Sequence, residues 1–291
     1  TASLPLVNCA PVSPERSPVL VKPNTPPPLP DPPLPKTPPP VIYGQSAIVV
    51  DAMTGRILAA KNPDSPRAVA STQKLMTALL AVEAGSLDTR VTIDISDTKP
   101  QPTKLYLKPG EVYPRRDLIR VILVKSANDA AAALARDVAG SPDLVGDVMT
   151  RRAHALGMRN TVFKKPHGLT VPGQYSSARD LAILARAAYR HPFIRECMTT
   201  RSFVFTYNDG RTRTLESTNK LLKRFPYTTG MKTGTTNASG KCLVSSAAYN
   251  GRVAIAVVLK STNSLVWDES ENLLRWALNI PSDPLPAPGS N

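Results

Sequence analysis

The sequence predicts an α+β fold, an α/β arrangement in which one antiparallel sheet is covered by helices and carries an inserted helical lobe. Three observations predict it. Strand-like apolar runs open and close the region from about residue 42 to about residue 280. The middle reads as successive helices punctuated by glycine stops. Near the end, Asn250-Gly251 joins two apolar runs as a two-residue hairpin turn.

Taken in order, "SAIVVDAMTGRILAA" gives two strands around a turn at Met53 to Gly55. "STQKLMTALLAVEAG" gives a helix from about Ser71 to Ala84, stopped by Gly85. "RDLIRVILVK" and "NDAAAALARDVAG" are helices that flank Ser126, and "SPDLVGDVMTRRAHALG" is a third. "SSARDLAILARAAYRH" starts with Ser177 and Asp180 in capping-box spacing. "FPYTTGMKTGTT", "GKCLVSSAAY" and "RVAIAVVLK" are strands, and "SLVWDESENLLRWALNI" is a closing helix. A cleft between lobe and sheet is the expected place for a site.

Outside this domain, about half of the 30 prolines precede residue 41. Residues 1–41 therefore read as an extended polyproline II tether with a reach on the order of 100 Å, and residues 281–291 as a second disordered end. The chain begins with Thr1 rather than methionine, which is expected of a processed product whose export signal is gone. Cys9 follows "PLVN", a poor context for lipid attachment. No apolar run approaches the roughly 20 residues of a membrane span. The 36 basic and 22 acidic side chains leave a net charge of +14, which favours an anionic partner such as a wall polymer or an acidic membrane surface. Nucleic acid is set aside, because aromatics make up only 5% and no basic stripe is interleaved with them. Oligomeric state is left open. Cys9, Cys197 and Cys242 are odd in number and widely spaced, and Cys242 sits in an apolar run as a small hydrophobe. No histidine pair or cysteine cluster has ligand spacing, so no metal and no other cofactor is expected.

Chemistry enters through three short motifs. Ser71 and Lys74 form Ser-x-x-Lys, which puts a hydroxyl and an amine on one helix face. Serine attacks only when a base takes its proton, and lysine becomes that base if burial and a helix N-terminus lower its pKa. The motif also occurs at Ser96/Lys99 and Ser217/Lys220, where it reads as a capping serine and a solvated lysine. Only Ser71 heads a long apolar helix. "KSAND" places Ser126 and Asn128 in an inter-helix loop, and "GMKTGTT" places Lys232, Thr233 and Gly234 on a strand. Singly, each reads as a cap or an edge-strand lysine. In this order they form one active-site set.

On these motifs, and on "VVDAMTGRILAAKN", "PHGL", "YSSARDLAILAR", "TNKLL" and "SGKCLVSSA", the chain resembles the low-molecular-mass penicillin-binding proteins of the serine D-alanyl-D-alanine carboxypeptidase family. The resemblance covers about residues 45–280 and implies the penicillin-binding protein/β-lactamase-like transpeptidase fold. It implies that Ser71 is acylated by the D-Ala–D-Ala carbonyl, with Lys74 accepting the serine proton. Ser126 and Asn128 would relay protons and hold the substrate amide, and Lys232 would tune the field. The N–H groups of Ser71 and Thr235 would make the oxyanion hole. Thr233, Gly234 and Thr235 would bind the substrate's end. The implied partners are peptidoglycan stem peptides and β-lactams, met outside the cytoplasm in the periplasm or wall.

Two departures matter. Such enzymes often carry an arginine after the last strand, where this chain offers only Lys260. It also shows no second β-rich domain and no amphipathic anchor, and members without them include D,D-endopeptidases that cut cross-links, the second reading. A β-lactamase is disfavoured because no glutamate occurs between Glu111 and Glu196, where a deacylating one would fall. A Ser-His-Asp hydrolase lacks Gly-x-Ser-x-Gly, and His167 reads as a turn residue. A non-catalytic wall-binding module would need a degraded set, and this one is intact.

Overall fold

The computed structural model describes residues 33–281, so the expectations for residues 1–32, including Cys9, and for the tail from 282 lie outside the described residues. Ser46–Asp51 (β1) and Ile57–Lys61 (β2) form the opening hairpin, and the Asp51 carboxylate accepts the Met53 and Thr54 amides in its turn. At the other end, Thr228–Thr236 (β7), Gly240–Tyr249 (β8) and Arg252–Ser261 (β9) follow one another. These five strands make one sheet in the order β2-β1-β9-β8-β7, antiparallel at every junction. The chain thus closes the sheet by laying its last strand against its first. Asn250 and Gly251 both take positive φ, 47° and 73°, as a tight β8–β9 turn with the native twist requires.

Side chains alternate across the pleat. Ile48, Val50, Ile255 and Val257 face a thick helical layer, while Ala47, Val49, Ala254 and Ala256 face Leu265–Leu278 (α8). α8 is pinned by Glu269, whose buried Oε1 accepts the Tyr43 and Gly44 amides at 2.6 Å each. Trp276 Nε1 donates to the Thr37 carbonyl at 2.9 Å, so the described end of the proline-rich stretch lies along this helix.

The helical layer holds Lys74–Glu83 (α1), Arg115–Val124 (α2), Asn128–Ala139 (α3), Val145–Ala155 (α4), Ala178–Tyr189 (α5) and Pro192–Thr199 (α6). The inserted lobe is therefore present as expected. Three details differ. Ser71 belongs to a 3₁₀ turn over Ala70–Gln73, and the α-helix starts only at Lys74. The capping box at α5 is half formed: Ser177 Oγ accepts the Asp180 amide, but the Asp180 carboxylate turns to the Asn160 amide and the Thr161 hydroxyl. Small ladders arise at Arg90–Thr92 (β3) with Val112–Pro114 (β4) and at Ser202–Thr206 (β5) with Thr212–Glu216 (β6). They escape a pattern search because they are short or mostly exposed. β6, for example, buries only Leu215. The short helix Leu221–Arg224 (α7) then leads into β7.

One buried carboxylate organises the loop that roofs the lobe. Asp129 accepts the consecutive amides of Leu105, Tyr106 and Leu107 at 2.8–3.2 Å. Nearby, the Asn128 amide donates to the Thr103 carbonyl at 2.7 Å. Replacing Asp129 by alanine leaves those amides without their acceptor. It should lower the free energy of unfolding by about 3 kcal/mol in urea titrations, and a loss under about 0.5 kcal/mol would show that water takes over the role.

Candidate active site

Lys74 is fully buried at the start of α1. Its Nζ lies 2.8 Å from Ser71 Oγ, 2.7 Å from Asn128 Oδ1 and 2.7 Å from the His167 carbonyl oxygen. Three acceptors match the three N–H groups of an ammonium. They also suit a neutral amine, which donates to the amide and carbonyl oxygens and turns its lone pair to the serine proton. Asn128 is held in this orientation because its Nδ2 donates to the Gln101 carbonyl at 2.7 Å. Burial pushes the Lys74 ammonium well below the ordinary lysine range; the charge of Lys232 adds to this and Asp129 partly opposes it.

Lys232 reaches the same site from β7. It is fully buried and donates to Ser126 Oγ at 2.9 Å and to the Thr233 carbonyl at 3.1 Å. Burial lowers its pKa from 10.5 to about 7. Ser126 stands at the break between α2 and α3 with φ +67°, a costly conformation for a non-glycine residue, and its amide donates to the Val121 carbonyl.

Two glycines let three separate segments meet. A Cβ on Gly234 would lie 2.8 Å from the Val69 oxygen and 3.0 Å from the Ser71 nitrogen, so only glycine lets β7 pass this close to the serine turn. A Cβ on Gly168, at φ +84°, would lie 2.1 Å from the Ala70 oxygen. That contact presses the loop carrying the His167 carbonyl onto the same turn.

Every residue singled out for the site is therefore brought together. Ser71, Ser126, Thr233, Gly234 and Thr235 line a cleft of about 260 Å³, with Lys74, Asn128 and Lys232 beneath or beside it. The other Ser-x-x-Lys pairs are not equivalent. Ser96 Oγ donates to Asp94 on the exposed surface, and Ser217 Oγ accepts the Asn219 amide. Lys260 does not line the cleft. Lys241 pairs with Ser261 and Leu243 with Val258, so Leu259 and Lys260 share one bulged step, and Lys260, at φ +53°, turns to solvent. Cys242 is buried, and its thiol is pushed up to about 11.

Sequence reasoning missed the His167 main chain, and also Thr218, Lys220, Lys241 and Trp267, which complete the cleft. The His167 ring is uninvolved. Its Nδ1 accepts the Leu169 amide and burial lowers its pKa to about 3. "PHGL" was a signal for this segment, but nothing in it points to a carbonyl. No carboxylate lines the cleft among the described residues.

With this geometry in hand, comparison with known proteins is direct. The family described as D-alanyl-D-alanine carboxypeptidase matches residues 35–263. The chain is similar to the D-alanyl-D-alanine carboxypeptidase DacF of Bacillus subtilis, 35% identical over 219 residues, covering 74% of this chain and 56% of that protein. It is similar to a D-alanyl-D-alanine endopeptidase of Escherichia coli, 34% identical over 254 residues, covering 85% of this chain and 81% of that protein. Among solved structures, a D-alanyl-D-alanine carboxypeptidase of Mycobacterium tuberculosis superposes with a TM-score of 0.79 at 31% identity, over 86% of this chain and 97% of that one.

Two outcomes are expected. Gly234→Ala should slow covalent labelling of Ser71 by at least about a hundredfold, because β7 must withdraw from the serine turn and a misplacement of about 1 Å costs that much; an unchanged rate in stopped-flow labelling would show that the close approach is dispensable. Between about 7 and 10.5 the unfolded chain binds a proton at Lys232 that the folded chain does not, so this group's contribution to stability rises with pH across that window. Urea midpoints should therefore climb less steeply from neutral to alkaline pH in Lys232→Met than in the unaltered protein.

Proposed function

This chain belongs to the D-alanyl-D-alanine carboxypeptidase family, and on that premise we propose that it is a serine D,D-carboxypeptidase that removes the terminal D-alanine from peptidoglycan stem peptides. The observation that carries this reading is the fully buried Lys74 amine, 2.8 Å from Ser71 Oγ and, among the described residues, with no carboxylate partner in hydrogen-bond contact.

In the proposed reaction, Ser71 Oγ attacks the carbonyl carbon of the penultimate D-alanine and its proton passes to Lys74. The oxyanion is taken by the Ser71 and Thr235 amides, since Gly234 lets β7 pass beside the serine turn. When the C–N bond breaks, the leaving amine takes a proton by way of Ser126, whose hydroxyl is bonded to Lys232. D-alanine departs, and water returned through the same groups hydrolyses the ester. Asn128 holds the substrate amide, and Thr233 and Thr235 contact the substrate's end. A β-lactam would acylate Ser71 in the same way, and its adduct would be long-lived because, among the described residues, no carboxylate lines the cleft to activate water.

The likeness to an E. coli endopeptidase over most of its length favours one second reading, cleavage of cross-links between stem peptides. Both reactions place the enzyme outside the cytoplasm. The net charge of +14 suits work beside an acidic wall polymer or membrane surface, screened by salt.

Intact-mass spectrometry after brief exposure to benzylpenicillin should show one penicilloyl group, mapped to the Ser71 peptide and absent from Ser71→Ala. Consumed penicillin without an adduct would point to a β-lactamase, and labelling that persists in Ser71→Ala would sink the assignment. Free D-alanine from monomeric stem peptides identifies the carboxypeptidase, and loss of cross-linked dimers identifies the endopeptidase.

A further inference from the structure

The His167 carbonyl that meets Lys74 belongs to a loop closed at its neck. Val162 and Tyr175 exchange both main-chain hydrogen bonds, each 3.0 Å, and residues 163–174 run between them. A compact loop whose ends lie this close is packed by its own side chains. The half-buried Gln174 is the one that reaches across. Its Oε1 accepts the Lys164 amide at 3.0 Å and the Lys165 amide at 2.9 Å, and its Nε2 donates to the Leu169 carbonyl at 3.0 Å. These three points bracket His167. From the other side, Gln73 Nε2 donates to the Lys165 carbonyl, and Thr77 Oγ1 donates to the Pro166 carbonyl at 2.8 Å.

The placement of one oxygen depends on this bracing. The His167 oxygen lies 2.7 Å from Lys74 Nζ and 3.2 Å from Ser71 Oγ. A neutral amine has two N–H groups and one lone pair. With its N–H groups on Asn128 Oδ1 and the His167 oxygen, the lone pair faces Ser71. If the loop drifts, the amine can turn an N–H to Ser71 and its lone pair elsewhere.

We propose that Gln174 is a positioning residue for the acylation of Ser71: by bracing residues 164–169 it holds the His167 carbonyl on Lys74 and so aims the lysine lone pair at the serine proton. The proposal rests on the reading of Ser71 as nucleophile and Lys74 as its base. Gln174 acts only through the main chain, and nothing in its side chain touches the reacting atoms.

The test is stopped-flow acylation by benzylpenicillin as a function of pH, with folding of each variant checked by near-ultraviolet circular dichroism. Charged groups that act on Lys74 are Lys232 from β7 and Asp129 from α3. In the loop, the His167 ring is neutral, at about 3, and Lys165 is exposed. Gln174→Ala alters none of these charges. It should slow the acylation step at least about tenfold, because small misplacements in a reacting set are costly. A weakened carbonyl contact also disfavours the ammonium form, so the acid limb of the profile should move to lower pH by about one unit. Thr77→Val, which removes the bond to the neighbouring Pro166 carbonyl, should move the limb the same way and serves if Gln174→Ala does not fold. An unchanged rate overturns the proposal. So does a slower rate with an unmoved acid limb in folded variants, which would leave Gln174 a packing role alone. Absence of any penicilloyl adduct on Ser71 in the unaltered protein removes the acylation reading, and the positioning role with it.

Discussion

Two lysine side chains, Lys74 and Lys232, are buried beside one cleft and, among the described residues, are bonded to neutral oxygens. Burying an ammonium without a counter-ion is so unfavourable that the group gives up its proton instead. The arrangement thus holds both amines below the ordinary lysine range, Lys232 at about 7. Everything else in the structure serves to keep these amines dry, close together and correctly directed.

That requirement explains the architecture around them. Lys74 comes from α1, Lys232 from β7, Ser126 and Asn128 from the α2–α3 junction, and the His167 carbonyl from a loop before α5. Four distant segments meet only because the sheet is built from both termini with the helical lobe inserted between. Their backbones approach closely at Gly168 and Gly234, where any Cβ would collide with the serine turn. The left-handed conformations of Ala70 and Ser126 fit the same demand, since strained backbone persists where surrounding packing over-determines it.

The charge pattern is graded outward from this core. Inside, the lysines are depressed by burial. At the far wall of the cleft, Lys220 and Lys241 add positive field at the mouth. The acidic residues are spent elsewhere, on the loop amides at Asp129, on the Tyr43 and Gly44 amides at Glu269, and on arginine pairs such as Arg136 with Asp97. Among the described residues, no carboxylate lines the cleft that leads to Ser71.

Much of this was determined locally and could be found in the chain itself. Near-continuous apolar runs in "SAIVVD" and "RVAIAVVLK" specify strands buried on both faces, Asn250-Gly251 specifies its turn, and the Ser-x-x-Lys, Ser-x-Asn and Lys-Thr-Gly order marks the side chains proposed to react. Only the tertiary structure decided that Lys74, in the pair that heads the apolar helix, is buried against Asn128. It also decided that the third acceptor on Lys74 is a main-chain carbonyl, and that Lys241 rather than Lys260 enters the cleft. A carbonyl has no side-chain signature, and a bulge that turns one lysine out and leaves another in depends on strand register. Side-chain type and short-range period are written in the sequence, whereas burial and close approach arise from contacts between segments far apart along it.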